Sequence, residues 1–185
     1  MKNRRAVALI CLIVVTAMLF AGCGASGGNE YGSKLVGKWA NTYEKDTPSL
    51  IFTRNGKATY DGVEYTFSAD ENYITLTSAD GSTQTMRYTL DGKDLTIYKV
   101  TEYICEDHDG LVGLWENKDL KWSFEFSKSG TFKEDGYFPG YYVVDEPSGT
   151  FKLIYNDKFV DTTCYYVLDG NTLTVEYPWP MVKSK

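Results

Sequence analysis

The pentapeptide Leu35-Val36-Gly37-Lys38-Trp39 returns almost unchanged as Leu111-Val112-Gly113-Leu114-Trp115. The two copies then continue in step. Phe52 and Gly56 match Phe126 and Gly130 at an offset of 74, and Tyr65, Ile74 and Leu76 match Tyr142, Phe151 and Leu153 at 77. Tyr88-Thr89-Leu90-Asp91-Gly92 with Leu95 matches Tyr166-Val167-Leu168-Asp169-Gly170 with Leu173 at 78. The few residues of drift fall where Gly, Pro, Asn and Asp mark loops. A repeat of this length is one structural unit used twice, so the fold must either occur twice or be assembled from two halves.

Within each copy the apolar residues recur at every second position, which is the spacing of a strand with one buried face. Met86, Tyr88 and Leu90 alternate with polar residues, and Cys164, Tyr166 and Leu168 repeat that face. An Asp-Gly pair closes each run, as a tight hairpin prefers, because glycine adopts positive φ without steric cost. Leu95 and Ile97, like Leu173, Val175 and Tyr177, read as the return strands. Further turns are expected at Arg54-Asn55-Gly56, Asp61-Gly62, Ala79-Asp80-Gly81 and Ser129-Gly130. These signals predict about five or six short strands per copy and no sustained helix.

The order of motifs is Leu-x-Gly-x-Trp, then Phe-(Ser/Thr)-x-x-Gly, then an aromatic strand, then Tyr-x-Leu-x-Gly-x-x-Leu. It resembles the small lipocalin-like domains of bacterial surface lipoproteins, over residues 35 to about 100 and 111 to about 178. The resemblance implies a meandering antiparallel barrel whose first-strand Trp plugs one end, and it implies no particular chemistry. Trp39 and Trp115 are therefore expected in the core, where large aromatics supply the most burial. The expected fold is all-β, with two tandem lipocalin-like barrels over residues 35–105 and 111–185 joined by a linker at 106–110. The alternative is one larger barrel made from the two duplicated halves. Either closure removes exposed sheet edges.

Ahead of the repeats, Met1-Lys2-Asn3-Arg4-Arg5 forms a positive stretch and Ala6 to Phe20 an apolar run too short to span a bilayer comfortably. That is the pattern of a secretory signal. The run ends in Leu19-Phe20-Ala21-Gly22-Cys23, which resembles the lipobox of bacterial lipoproteins, with Phe20 where Leu is usual. The resemblance implies that residues 1–22 are removed and that Cys23 is lipidated. More than one acyl chain gives stable attachment, so the expected location is the extracytoplasmic face of a bacterial cell membrane. Residues 23–34, opening Cys23-Gly24-Ala25-Ser26-Gly27-Gly28, read as a flexible tether. Loss of residues 1–22 removes three of the 19 basic residues and none of the 25 acidic ones, leaving 16 against 25, a formal charge of −9. That balance disfavours nucleic acid and anionic lipid headgroups as partners, since both attract basic patches.

Candidate chemistry is sparse. The chain holds one histidine, His108, which excludes a multi-histidine zinc site and leaves no Ser-His-Asp or Cys-His triad visible. Around it, Asp107, Asp109 and Gly110 match a fragment of a calcium loop, but the remaining oxygen ligands and the distal Glu are missing. No metal or cofactor is expected. Export permits a disulfide between Cys105 and Cys164, yet Cys164 occupies the apolar slot that Met86 fills in the first copy, which equally suits a buried thiol. Trp122, Tyr137, Phe138, Tyr141 and Trp179 mark a candidate aromatic binding surface for a glycan, a surface protein or a small apolar ligand. Neighbouring prolines argue that these segments are loops or sheet edges. The expected function is thus a non-catalytic ligand-binding or interaction module. An envelope-glycan hydrolase using paired carboxylates, or a structural spacer, are the alternatives.

Overall fold

The computed structural model describes residues 29–45 and 47–184, so the signal segment and Cys23 lie outside the described residues. The first copy supplies β1 (Gly37–Asn41), β2 (Pro48–Phe52), β3 (Lys57–Tyr60), β4 (Val63–Ala69), β5 (Tyr73–Thr77), β6 (Thr83–Asp91) and β7 (Asp94–Ile104). The second supplies β8 (Gly113–Asn117), β9 (Trp122–Phe126), β10 (Thr131–Glu134), β11 (Phe138–Asp145), β12 (Thr150–Tyr155), β13 (Thr162–Asp169) and β14 (Thr172–Lys183). Each strand pairs with its neighbours in the chain, and β1 closes on β14, so the fourteen antiparallel strands make one ring. The all-β expectation is met, with more strands per copy than the turn signals alone suggested.

A further pairing crosses the ring. The longest strands, β7 and β14, run antiparallel from Asp94 opposite Val182 to Ile104 opposite Thr172. The other edge of β14 is divided between two partners. It faces β13 as far as Glu176, opposite Tyr165, and it faces β1 from Met181, opposite Asn41. The interior is divided in the same way. One hydrophobic cluster gathers Trp39, Leu50, Phe52, Ile74, Leu76 and Met181, and the other gathers Trp115, Phe124, Phe126, Phe132, Phe151 and Leu173. The two copies therefore enclose separate cores but share the strand pair that closes both.

Between its two partners β14 has a short open edge, and Pro178 and Pro180 lie there. The Pro180 carbonyl accepts from the Thr42 N–H at 3.2 Å, so the polar side of this residue faces β1. Two residues earlier, Pro178 faces the same edge, because backbone polar groups alternate sides along an antiparallel strand. Each proline's missing N–H thus falls where no partner needs it, and its partner in β7 loses nothing. These residues sit inside a strand rather than in a loop. The expectation of an edge is met only locally.

Both copies build their core plug alike. Trp39 and Trp115 are fully buried, and each indole N–H donates to the carbonyl four residues earlier, Leu35 and Leu111, at 2.7 Å. The copies also solve one packing problem with opposite volumes. In the first, Ala58 on β3 lies opposite Tyr65 on β4; in the second, Phe132 on β10 lies opposite Gly140 on β11. The large residue has changed strands. This register corrects the match of Tyr65 with Tyr142: the structural counterpart of Tyr142 is Phe67, since their N–H groups donate to the equivalent Gly130 and Gly56 carbonyls, both at 2.9 Å. A slip of two residues keeps every side chain on its face, so alternation could not detect it.

The tether also departs from expectation at its end, where a helix, α1 (Glu30–Leu35), forms. Asn29 caps it, its side-chain oxygen accepting from the Gly32 N–H at 2.7 Å, and Leu35 is buried below. Asn29→Ala is expected to cost about 1 kcal/mol locally. Amide exchange at Gly32 and Ser33 should quicken while that at Leu50 stays unchanged; an equal change at both would refute a local role.

Candidate binding site

The site grows from the shared strand pair. Along β7, Leu95 and Ile97 face the first core and Tyr103 the second; along β14, Leu173 and Val175 face the second core and Met181 the first. These residues all have the same parity, so they share one face of the ribbon. Lys99, Thr101, Tyr177 and Trp179 share that face in the stretch between the cores, and they form one wall of a cavity of about 280 Å³. Trp122 at the start of β9 and Glu134 at the end of β10 supply the facing wall. A larger cleft of about 710 Å³ shares Glu134, Asp135, Tyr177 and Trp179 and extends past Tyr155, Phe138 and Phe159.

Glu134 stands out because it follows Phe132 on an inward face. The Tyr155 hydroxyl donates to its carboxylate, and the Tyr155 and Tyr177 hydroxyls lie 3.2 Å apart. Burial raises the Glu134 carboxyl above its ordinary value, the adjacent Asp135 charge adds to the rise, and the Tyr155 hydrogen bond opposes it. Burial likewise raises Tyr103 and Tyr177, which line the same cavity, Tyr155 in the adjoining cleft, and Cys164 in the second core. Among the described residues no cationic side chain forms an ion pair with Glu134. The Lys99 ammonium instead sits 4.4 Å from the centre of the Trp179 ring. Asp135 is differently occupied: its backbone is left-handed, with φ at 50°, and its carboxylate accepts from the Ser123 N–H at 2.7 Å. It closes the β10–β11 turn.

The raised Glu134 carboxyl has a consequence for stability. The folded state holds this proton more tightly than the unfolded chain does, so its contribution is full below the ordinary value of 4.5 and is lost as pH rises through the higher folded value. Glu134→Gln mimics the protonated form. It should match the wild type near pH 4 and be the more stable protein at neutral pH, as read from urea unfolding at both. A variant less stable at neutral pH would show that the carboxylate is favoured in place.

Of the five aromatics marked in the sequence, Trp122 and Trp179 line the same cavity and Phe138 the adjoining cleft, where its ring meets Phe159 edge-on at 5.1 Å. Tyr137 is almost fully exposed, and Tyr141 borders a different depression beside Pro139 and Asn156. Cys105 and Cys164 both lie in the second core as free thiols. The join at 106–110 is exposed except for His108, which is half-buried. The His108 ring lies 4.8 Å from Trp115, and Asp109 pairs with Lys128 at 3.1 Å. Among the described residues no group of three His, Cys, Asp or Glu side chains is placed to hold a metal, and no helix is long and apolar enough to cross a membrane.

Sequence reasoning missed Glu134, Tyr155, Tyr177 and Lys99. A signal was present at Glu134: a charged residue in an inward slot of an apolar alternation is the informative exception in a strand. The first copy has Tyr60 there, at the same offset of 74 that relates Phe52 to Phe126. No family model, curated protein or solved structure matches the chain.

Proposed function

We propose that the protein is a membrane-anchored, extracytoplasmic lipoprotein, attached through Cys23, that acts as a non-catalytic ligand-binding module. In this reading each copy is a lipocalin-like barrel, the two are fused through β7 and β14, and the ligand occupies the cleft between them. One observation carries it. The interiors are filled by their own side chains, Trp39 and Trp115 among them, whereas the cleft joins two tryptophans and a half-buried carboxyl in an open concavity. Apolar walls with a few convergent polar groups are the usual makeup of a ligand site.

The test is a native mass spectrum of the full chain, purified from its host in mild detergent, for wild type and Trp179→Ala. A reproducible added mass that disappears in the variant supports the reading. A bare protein in both cases, with no ligand recovered from the extract, leaves a structural spacer as the better account. The same spectrum must show an acyl-modified Cys23 at the N-terminus; an unmodified chain overturns the anchor.

A second reading has one specific observation behind it. A carboxyl whose hold on its proton is strengthened by burial in a cleft, as at Glu134, is the property of a general acid in glycoside hydrolysis. The other carboxylate of the cavity, Asp135, accepts from the Ser123 N–H of β9, which weakens this alternative. Turnover of a cell-wall glycan that is abolished by Glu134→Gln would establish it.

A further inference from the structure

Resting on the reading of the cleft as the ligand site, we infer that its ligand is a small organic cation, an ammonium group held in the cavity of Trp122 and Trp179 with the Glu134 carboxylate as its counter-ion. Three independent observations lead there. The first is charge. Charges withdrawn from water are ordinarily paired, yet the half-buried Glu134 receives only the Tyr155 hydroxyl and lacks an ion-pair partner among the described residues. A bound cation supplies the missing charge.

The second is that the cavity already holds a cation of its own. Lys99 projects its ammonium 4.4 Å from the centre of the Trp179 ring, within the range at which the negative face of an indole attracts positive charge. It sits on the aromatic wall without reaching Glu134. Its long stem is flexible, so a ligand able to meet both the ring and the carboxylate displaces it.

The third is where the copies diverge. Their core positions correspond, down to the indole hydrogen bond. At the offsets that relate those cores, the cavity residues do not. Trp122 replaces Pro48, Glu134 replaces Tyr60, Tyr155 replaces Ser78 and Trp179 replaces Thr101. With Tyr155 donating to the acid from the adjoining cleft, the changes bring an acid and two tryptophans to one cavity, which is the makeup of a cation cage. Its volume of about 280 Å³ lies at the small end of ligand sites and suits a compact head group. The acidic excess of the chain outside residues 1–22 steers positively charged molecules toward it.

Choline and its neutral carbon isostere, 3,3-dimethylbutan-1-ol, separate charge from shape. Titrated calorimetrically into the full chain in detergent micelles at neutral pH, choline should bind and the alcohol should bind at least about tenfold more weakly. Glu134→Gln should weaken choline by about tenfold or more. Trp179→Ala should weaken it too, with near-UV circular dichroism confirming that each variant is folded. Lys99→Met is decisive because the competing ammonium is gone: choline binding should tighten. Equal binding of the alcohol, loss of binding in Lys99→Met, or no choline binding by either wild type or Lys99→Met each overturns the cation. If the mass spectrum then yields a neutral or anionic ligand that still requires Trp179, the binding module stands and only the ligand class falls.

Discussion

Trp115→Ala is expected to cost about 3 to 5 kcal/mol and to lower one unfolding transition of the whole body rather than half of it. The indole is fully buried among the aromatics of the second core, and its N–H satisfies the Leu111 carbonyl. Truncation removes that packing and leaves an unpaired buried acceptor. Loss of the second core also releases the first half of β14 from β13, and the same strand closes the first copy by pairing with β1. The first core therefore cannot remain closed once the second opens. Trp39→Ala should give the same result from the opposite side. Far-UV circular dichroism and the fluorescence of the remaining tryptophans should report coincident midpoints for each variant. A two-step melt in which only half the signal moves would show that the copies are thermodynamically independent despite their shared strands.

Gly140→Val should destabilise by about 3 kcal/mol or more. A Cβ at this position would collide with the Ile154 carbonyl on β12 and with the Phe132 ring opposite. Glycine is required here for space alone, since its φ is not in the left-handed region. Phe132→Ala made together with Gly140→Tyr reproduces the first copy's arrangement of small residue opposite tyrosine. The pair should be less destabilised than the sum of its single changes by about 0.5 to 3 kcal/mol, the range for residues in contact. Rescue stays partial because the Ile154 carbonyl does not move with the Phe132 ring. A Gly140→Val protein within about 1 kcal/mol of wild type would mean that β11 and β12 separate easily, and that their close approach is not needed.

Strand positions were legible in the sequence because alternation and Asp-Gly turns are local signals, and the burial of both tryptophans followed from their place in each copy. The β7–β14 pairing was not. It joins equivalent strands of the two copies, and neither strand's pattern names its partner; only their unusual lengths hint that each serves two cores. The Tyr65–Tyr142 match failed for a related reason, since two aromatics on the correct face are indistinguishable from a correct register. At the site, Trp122, Phe138 and Trp179 were visible as aromatics outside the shared pattern. Glu134 was hidden in plain view, because acidic residues abound in this chain and only its inward parity sets it apart. Tyr155 and Tyr177 looked like ordinary strand tyrosines packed against the second core.

The two prolines of β14 allow the cleft to stay open. Unsatisfied strand edges recruit strands from other molecules, and copies of the same chain carry the same edge. At the mouth of this cleft that edge presents Pro178 and Pro180, whose rings occupy the positions where amide hydrogens would otherwise point outward. A neighbouring chain arriving there finds no donor, and the Pro180 carbonyl is already taken by the Thr42 N–H, so it cannot extend a ladder. The gap can therefore stay open without serving as a template for polymerisation.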